Sequence, residues 1–317
     1  MKNSVTEEMY FRQRLCEYAI KNGVTKAARR YYTNRQFVYR QLKKYDGGVR
    51  SLALESRKPK GHPNSHSDEE LKLIKKMLKR NGKYGLAEVY VRCKANSYSR
   101  SFGSMCRQIR KRGYTAPKKQ RKSYTKYTNI KGEYPGHKVQ VDIKYVPTEC
   151  IRFPSDHDRY YQITAIDEYS RKRVLKIVKE KSTYETSKFL KTLEEKMGFG
   201  IKTIQVDNGY EFVNNKEKTD RKSAFEEVAD SLNMTIKRTR PYSPWQNGKV
   251  ERSHREDGKI LYSKETFYSL KTLKEKVKKH ERRYNKTAKQ VLDFKSPNQV
   301  VADYFFNNQK CNICIDI

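Results

Sequence analysis

Arg240-Pro241-Tyr242-Ser243-Pro244-Trp245-Gln246-Asn247-Gly248-Lys249-Val250-Glu251-Arg252 reads as a turn that launches a helix. Ser243 is a good N-cap, because its hydroxyl can accept from an amide of the first turn. Pro244 suits the first helical position, and Gln246 can complete a capping box with Ser243. Glu251 would then lie about two turns into the helix, on a surface shared with Asn247 and Arg255. Most glutamates in a cation-rich helix are simply solvated. Two acids elsewhere in the chain argue for more.

Asp142 sits in Lys138-Val139-Gln140-Val141-Asp142-Ile143-Lys144-Tyr145-Val146, and Asp207 follows Ile204-Gln205-Val206. Both runs alternate as strands do, and both lead an acid out of an apolar segment. Two strand carboxylates and one helix carboxylate make a set of oxygen donors suited to hard divalent cations.

The three acids in this order, with Val206-Asp207-Asn208-Gly209 and the long motif from Ser243 to Arg252, resemble the catalytic core of DDE transposases and retroviral integrases. The resemblance is strongest to bacterial insertion-sequence transposases with an integrase-type core. It covers roughly residues 136–305 and extends more weakly through the N-terminal half. It implies an α/β ribonuclease-H-like core preceded by all-α helix-turn-helix domains. It also implies a polynucleotidyl transferase that hydrolyses DNA at transposon ends and then joins the freed 3′ hydroxyl to another strand. The cofactor expected is a pair of Mg2+ ions, with Mn2+ a substitute, held by Asp142, Asp207 and Glu251 with Asp142 between the metals. Asn247, Lys249, His254, Arg255 and Lys259 are the expected DNA contacts around the glutamate helix. His254 is alternatively a neighbour that orients a metal-binding acid. Gly258 stands where related enzymes often carry a lysine, and Glu256 and Asp257 are unexpected on a phosphate-facing helix. The partners implied are double-stranded DNA, as terminal inverted repeats and as target, and further copies of the chain, because two ends must be synapsed. Two alternatives keep the same residues: a DNA-binding regulator with an inactive core, and a metal-dependent nuclease without strand transfer.

Charge points the same way. Among 317 residues, 71 are Lys or Arg and 36 are Asp or Glu, a formal charge of +35. The excess is spread along the chain, which calls for a polyanionic partner, and nucleic acid fits best. Six cysteines at irregular spacing argue against a disulfide framework and for a reducing compartment. Cys311 and Cys314 form a CxxC with no second pair, a poor zinc site. No leader or apolar span of membrane length is visible, so a cytoplasmic protein is expected, nucleoid-associated when bound.

Ahead of the core, the periodicity predicts helices over 6–21, 24–32 and 35–45, with Thr6 capping the first. Phe37, Val38, Leu42 and Tyr45 form the apolar side of the third. Arg35, Gln36, Tyr39 and Arg40 would then face a major groove. A second such module has a Ser67/Glu70 capping box and helices over 86–95 and 99–112, with Arg100 and Arg107 as candidate readers. The domains expected are 1–56 (first helix-turn-helix), 57–66 (basic linker), 67–115 (second helix-turn-helix), 116–135 (basic linker), 136–305 (catalytic core with a helical extension) and 306–317 (tail).

Within the core, strands are expected over 139–145, 160–167, 173–179, 201–206 and 234–239. Helices are expected over 182–197, with a Ser182/Glu185 capping box, and around Phe225–Leu232. One basic helical region should run from Glu251 to about Tyr284, followed by a short helix from Pro297. Residues 214–222 read as a surface loop, Asp167 as a turn residue, and Trp245 as a buried anchor for the helix start.

Overall fold

The computed structural model describes residues 5–54, 64–115, 132–154, 159–214, 221–240 and 243–313. The sequence readings over 57–63, 116–131 and 215–220, and those on Pro241, Tyr242 and Cys314, lie outside the described residues. The chain separates into two units, Met1–Ser65 and His66–Ile317.

The first unit is built from α1 (Glu7–Asn22), α2 (Val24–Arg30) and α3 (Arg35–Leu42). Leu15, Ala19, Ala27, Ala28 and Val38 form its core, the alanines letting helices approach closely. Gly23 turns the chain between α1 and α2 at φ 87°, where any Cβ would be strained. Thr6 stands at the N-cap of α1 without a side-chain hydrogen bond, while Asn34 caps α3, its Oδ1 accepting from Phe37 N–H at 2.7 Å.

The second unit opens with α4 (Asp68–Asn81), α5 (Leu86–Lys94) and α6 (Phe102–Lys111). The Ser67/Glu70 capping box is formed in full. Ile74, Met77, Val89, Cys93, Tyr98, Met105 and Ile109 pack between the three helices. α6 starts at Phe102 rather than Ser99, because Ser101 takes the cap and accepts from Ser104 N–H.

A five-stranded sheet follows, in spatial order β3-β2-β1-β4-β5. β1 (Val139–Tyr145), β2 (Tyr161–Asp167) and β3 (Arg173–Val178) form an antiparallel meander. The chain then crosses over through α7 (Thr183–Leu190) and α8 (Leu193–Met197) to β4 (Thr203–Val206), which runs parallel to β1. A further crossover through α9 (Ala224–Ser231) leads to β5 (Thr235–Arg238), parallel to β4. This is the ribonuclease-H-like arrangement. Val139, Val141, Ile163, Ala165, Ile204 and Val206 bury one sheet face under Phe189, Leu190, Leu193 and Phe225. Each such side chain contributes about 1.5–3 kcal/mol by burial.

The rest of the chain is α10 (Gly248–Asp257), α11 (Leu270–Asn285) and α12 (Pro297–Ile313). Several expectations change here. Residues 182–197 split into two helices, and Glu185 spends its carboxylate on Lys176 at 2.9 Å instead of closing a capping box. The stretch from Glu251 to Tyr284 is two helices, because a single π turn over Gly258–Tyr262 ends α10 and the chain bends before Ser269 caps α11. The last helix is long, continuing to Ile313.

Candidate active site

The site is laid out by strand register. β1 and β4 pair Val139 with Ile204 and Gln140 with Gln205, so two residues further on Asp207 comes level with Asp142 as β4 ends. A period of two puts Gln140 and Asp142 on one face of β1, and Gln205 and Asp207 on the same face beyond. That face carries α10.

The two glutamines, both fully buried, hold the entrance to α10. Gln140 Nε2 and Gln205 Nε2 each donate to the Gln246 carbonyl, at 3.0 and 2.9 Å. Gln140 Oε1 accepts from the Lys249 and Val250 amides, both at 3.2 Å, so this strand side chain does the capping expected of Ser243. Pro244–Asn247 is a 3-10 turn without a side-chain cap, and Gln246 Oε1 accepts from Arg240 N–H instead. Trp245, expected to be buried, is 53% exposed, because the glutamine grip on the backbone already anchors the turn.

Glu251 lies in the first turn of α10. Burial, then Asp207, and further Glu251 and Glu211, push the Asp142 carboxyl up to about 7, against an opposing hydrogen bond from Ile143 N–H. Asp207 is raised by burial and by Glu211, while the Gly209 N–H and Lys181 pull it down. A carboxyl that burial and neighbouring anions drive toward protonation is a site that a divalent cation would relieve. Among the described residues, however, no three of His, Cys, Asp and Glu stand close enough together to hold a metal ion.

His254 Nδ1 stands 3.5 Å from Asp142 Oδ2, and its side chain is 13% exposed. Burial and the nearby Lys144 cation depress its pKa to about 3, so it sits beside Asp142 as a neutral imidazole. Asn247 and Lys249 also turn inward. Asn247 Oδ1 accepts from Gln205 Nε2 at 2.8 Å, and Lys249 pairs with the buried Glu168 at 3.1 Å. Arg255 and Lys259 remain exposed. Arg35, Gln36, Tyr39 and Arg40 are all exposed on α3, and Arg107 is exposed on α6. Arg100 forks onto Glu70, at 2.7 and 2.9 Å.

Asp257 is the acid whose place the sequence could not explain. It is wholly buried at the end of α10, where Arg173 Nη1, His280 Nε2 and Gln162 Nε2 bond it at 2.7, 2.8 and 2.9 Å and Lys144 lies at 3.6 Å. Burial alone would raise its pKa; Arg173, His280, Lys144 and Gln162 outweigh that and hold it far below the usual carboxylate range. Asp167 is a turn residue, accepting from Gly136 N–H and from both donors of Ser170.

Sequence reasoning missed Glu211, Lys181 and the two glutamines. Glu211 pairs with Lys181 at 2.8 Å beside Asp207. A signal for the glutamines was present: Gln-Val-Asp occurs at 140–142 and again at 205–207.

Residues 132–244 match the family described as integrase core domain, and residues 232–288 match a second family of the same description. The "Putative integrase ORF3" of Spiroplasma virus SpV1-C74 is 28% identical over 169 residues, covering 50% of this chain and 46% of that relative. The chain thus spans about half the length of this curated relative. Among solved structures, a chain of the simian T-cell lymphotropic virus intasome with PP2A regulatory subunit B56 gamma aligns at TM-score 0.44 and 16% identity, over 72% of this chain and 74% of that one. The HTLV-2 integrase catalytic core domain in complex with magnesium aligns at TM-score 0.39 and 17% identity, over 54% of this chain and 99% of that one. Between them, the two integrase core domain matches span residues 132–288, the stretch that carries Asp142, Asp207 and Glu251.

Proposed function

We propose that the protein is a transposase or integrase that binds the ends of a mobile DNA element, cuts them and transfers the strands to target DNA. One observation supports the reading most: the β1–β4 register sets Asp207 level with Asp142, and Glu251 of α10 is near enough to raise the Asp142 pKa. Asp142, Asp207 and Glu251 would hold Mg2+ or Mn2+, with no further ligand needed from cysteine or histidine. When bound, the metal pair supplies an activated water or hydroxyl and neutralises the leaving oxygen.

The chain's own residues do the placing. Gln140 and Gln205 fix the start of α10 and thereby the position of Glu251 relative to the strand acids. His254, neutral and packed on Asp142, restricts the rotation of that carboxylate without competing for its charge. Lys181 keeps Glu211 paired beside Asp207. Arg255 and Lys259, exposed on the helix that carries Glu251 and on the turn after it, would take DNA phosphates, as Lys and Arg do in most nucleic-acid interfaces. In the first unit, Arg35, Gln36, Tyr39 and Arg40 present a polar, cationic helix face suited to a major groove. The formal charge of +35 supports double-stranded DNA as partner, and synapsis of two ends calls for more than one copy. Among the described residues no helix is long and apolar enough to cross a membrane, and action on DNA in the cytoplasm is part of this reading.

The test is nicking of a duplex carrying the gene's own flanks, with magnesium, by wild type and by Glu251→Gln, with binding followed in parallel. Metal-dependent cleavage and joined products from wild type, lost in the variant while binding survives, support a transposase. Cleavage without joining would make it a nuclease; binding with no cleavage in magnesium or manganese would make it a regulator.

A further inference from the structure

Glu88 in α5 is only 2% exposed, and a buried carboxylate demands partners. Arg92 supplies one from the same helix at 3.0 Å. The others come from the last turn of α11 and just past it: Arg283 Nη2 stands 3.4 Å from Oε1, and Ala288 N–H donates to Glu88 Oε2 at 2.9 Å. The Arg283 guanidinium also lies 4.3 Å over the Tyr84 ring.

A few residues later, Asp293 and Phe294 both take left-handed backbone, at φ 49° and 64°. Two successive non-glycine residues in that region are costly, so something must hold them. The Phe294 ring is seated between Tyr90 and Phe102, with centroids 5.1 and 5.0 Å away, and those two rings themselves meet at 5.4 Å. The end of α11 and the connection to α12 are therefore fastened to the α4–α6 module at two points, one at the Glu88 carboxylate and one aromatic.

We propose that Glu88 and Phe294 are positioning residues that dock α4–α6 on the core, so that DNA held by α6 meets Asp142, Asp207 and Glu251 at a fixed offset. This rests on the function proposed above. A covalent tether alone would allow many placements of the module; the double fastening leaves one. Arg107 and Lys111 are exposed on α6 and available to phosphates while it is docked. The module then acts as a ruler for the cut position.

The experiment uses the full chain with Glu88→Ala and Phe294→Ser together, and Phe294→Ser alone as the milder variant that leaves the buried acid paired. Hydrogen exchange at the Ala288 amide reports docking, a labelled duplex carrying the gene's flanks reports binding, and end-mapping reports where the strand is cut. Loss of Ala288 protection with near-normal affinity, cutting at the native phosphate reduced about a hundredfold and scattered cuts elsewhere support the ruler. Glu88→Gln with Phe294→Tyr, which keeps an acceptor for Ala288 N–H and a ring between Tyr90 and Phe102, restores the native position. An undocked variant that cuts the same phosphate at the wild-type rate overturns the proposal, as does unchanged Ala288 protection. Absence of cutting by wild type removes the functional reading itself, and with it the ruler, while exchange still reports the docking.

Discussion

Arg173 and Asp257, both 0% exposed, meet at 2.7 Å between Nη1 and Oδ1 at the end of the helix that carries Glu251. The Arg173 guanidinium also stacks 3.7 Å over the Tyr284 ring and bonds Ser253 Oγ at 2.7 Å. This pair pins the far end of α10, as the two glutamines pin its start. Asp257→Asn would leave Arg173 buried without its counter-ion, which costs about 3–5 kcal/mol. Replacing both, Arg173→Met with Asp257→Leu, should cost much less, because no orphaned charge remains. Denaturant unfolding of the three proteins checks the ordering.

Asp142 should make the metal-free protein pH-sensitive. Its folded-state pKa of about 7 lies above the ~3.9 of an exposed aspartate. Folded protein keeps a proton that unfolded chain releases, so the stabilisation is complete below about pH 4 and is lost as pH rises toward 7. Asp142→Asn removes the effect and should be more stable than wild type at pH 8 by on the order of 3 kcal/mol. Magnesium should raise the melting temperature of wild type at pH 8 and leave the variant unmoved. Thermal unfolding at pH 5 and pH 8, with and without the ion, reads both.

The exposed face of α3 can be tested without disturbing the core. Arg40→Ala should weaken DNA binding and lower the steepness of its salt dependence by about one unit of log K against log salt. Melting of the protein should not change, since Arg40 is exposed. An unchanged salt slope would remove α3 from the DNA interface.

Gly136 precedes β1 at φ 86°, and a Cβ there would lie 2.0 Å from the Gly200 carbonyl oxygen. Its N–H also donates to Asp167 Oδ1 at 3.0 Å, and its carbonyl accepts from Lys202 N–H. Gly136→Ala should therefore destabilise the core by more than about 2 kcal/mol, from forced left-handed backbone and a backbone clash together. Circular dichroism melts would show it, and little change in melting would refute the close approach.

Much of the core was legible because its signals are local. Alternation in Val139–Tyr145 and Thr203–Val206 follows from a side-chain period of two, and Ser67 announces a helix start through Glu70, three positions on. The acids Asp142, Asp207 and Glu251 could be named for the same reason, each standing in a short, characteristic context. The fate of the charges around them was not local. Whether Asp257 faces DNA or the interior depends on Arg173, 84 residues away, and on His280, 23 residues away. Lys249 turns inward because the buried Glu168, just past the end of β2, is there to pair with it, and Trp245 stays outside because Gln140 and Gln205 already hold the next residue's carbonyl, that of Gln246. Periodicity assigns a residue to a face, but a buried charge is tolerable only where distant elements bring it a partner, and that pairing exists only once the sheet and its helices have assembled.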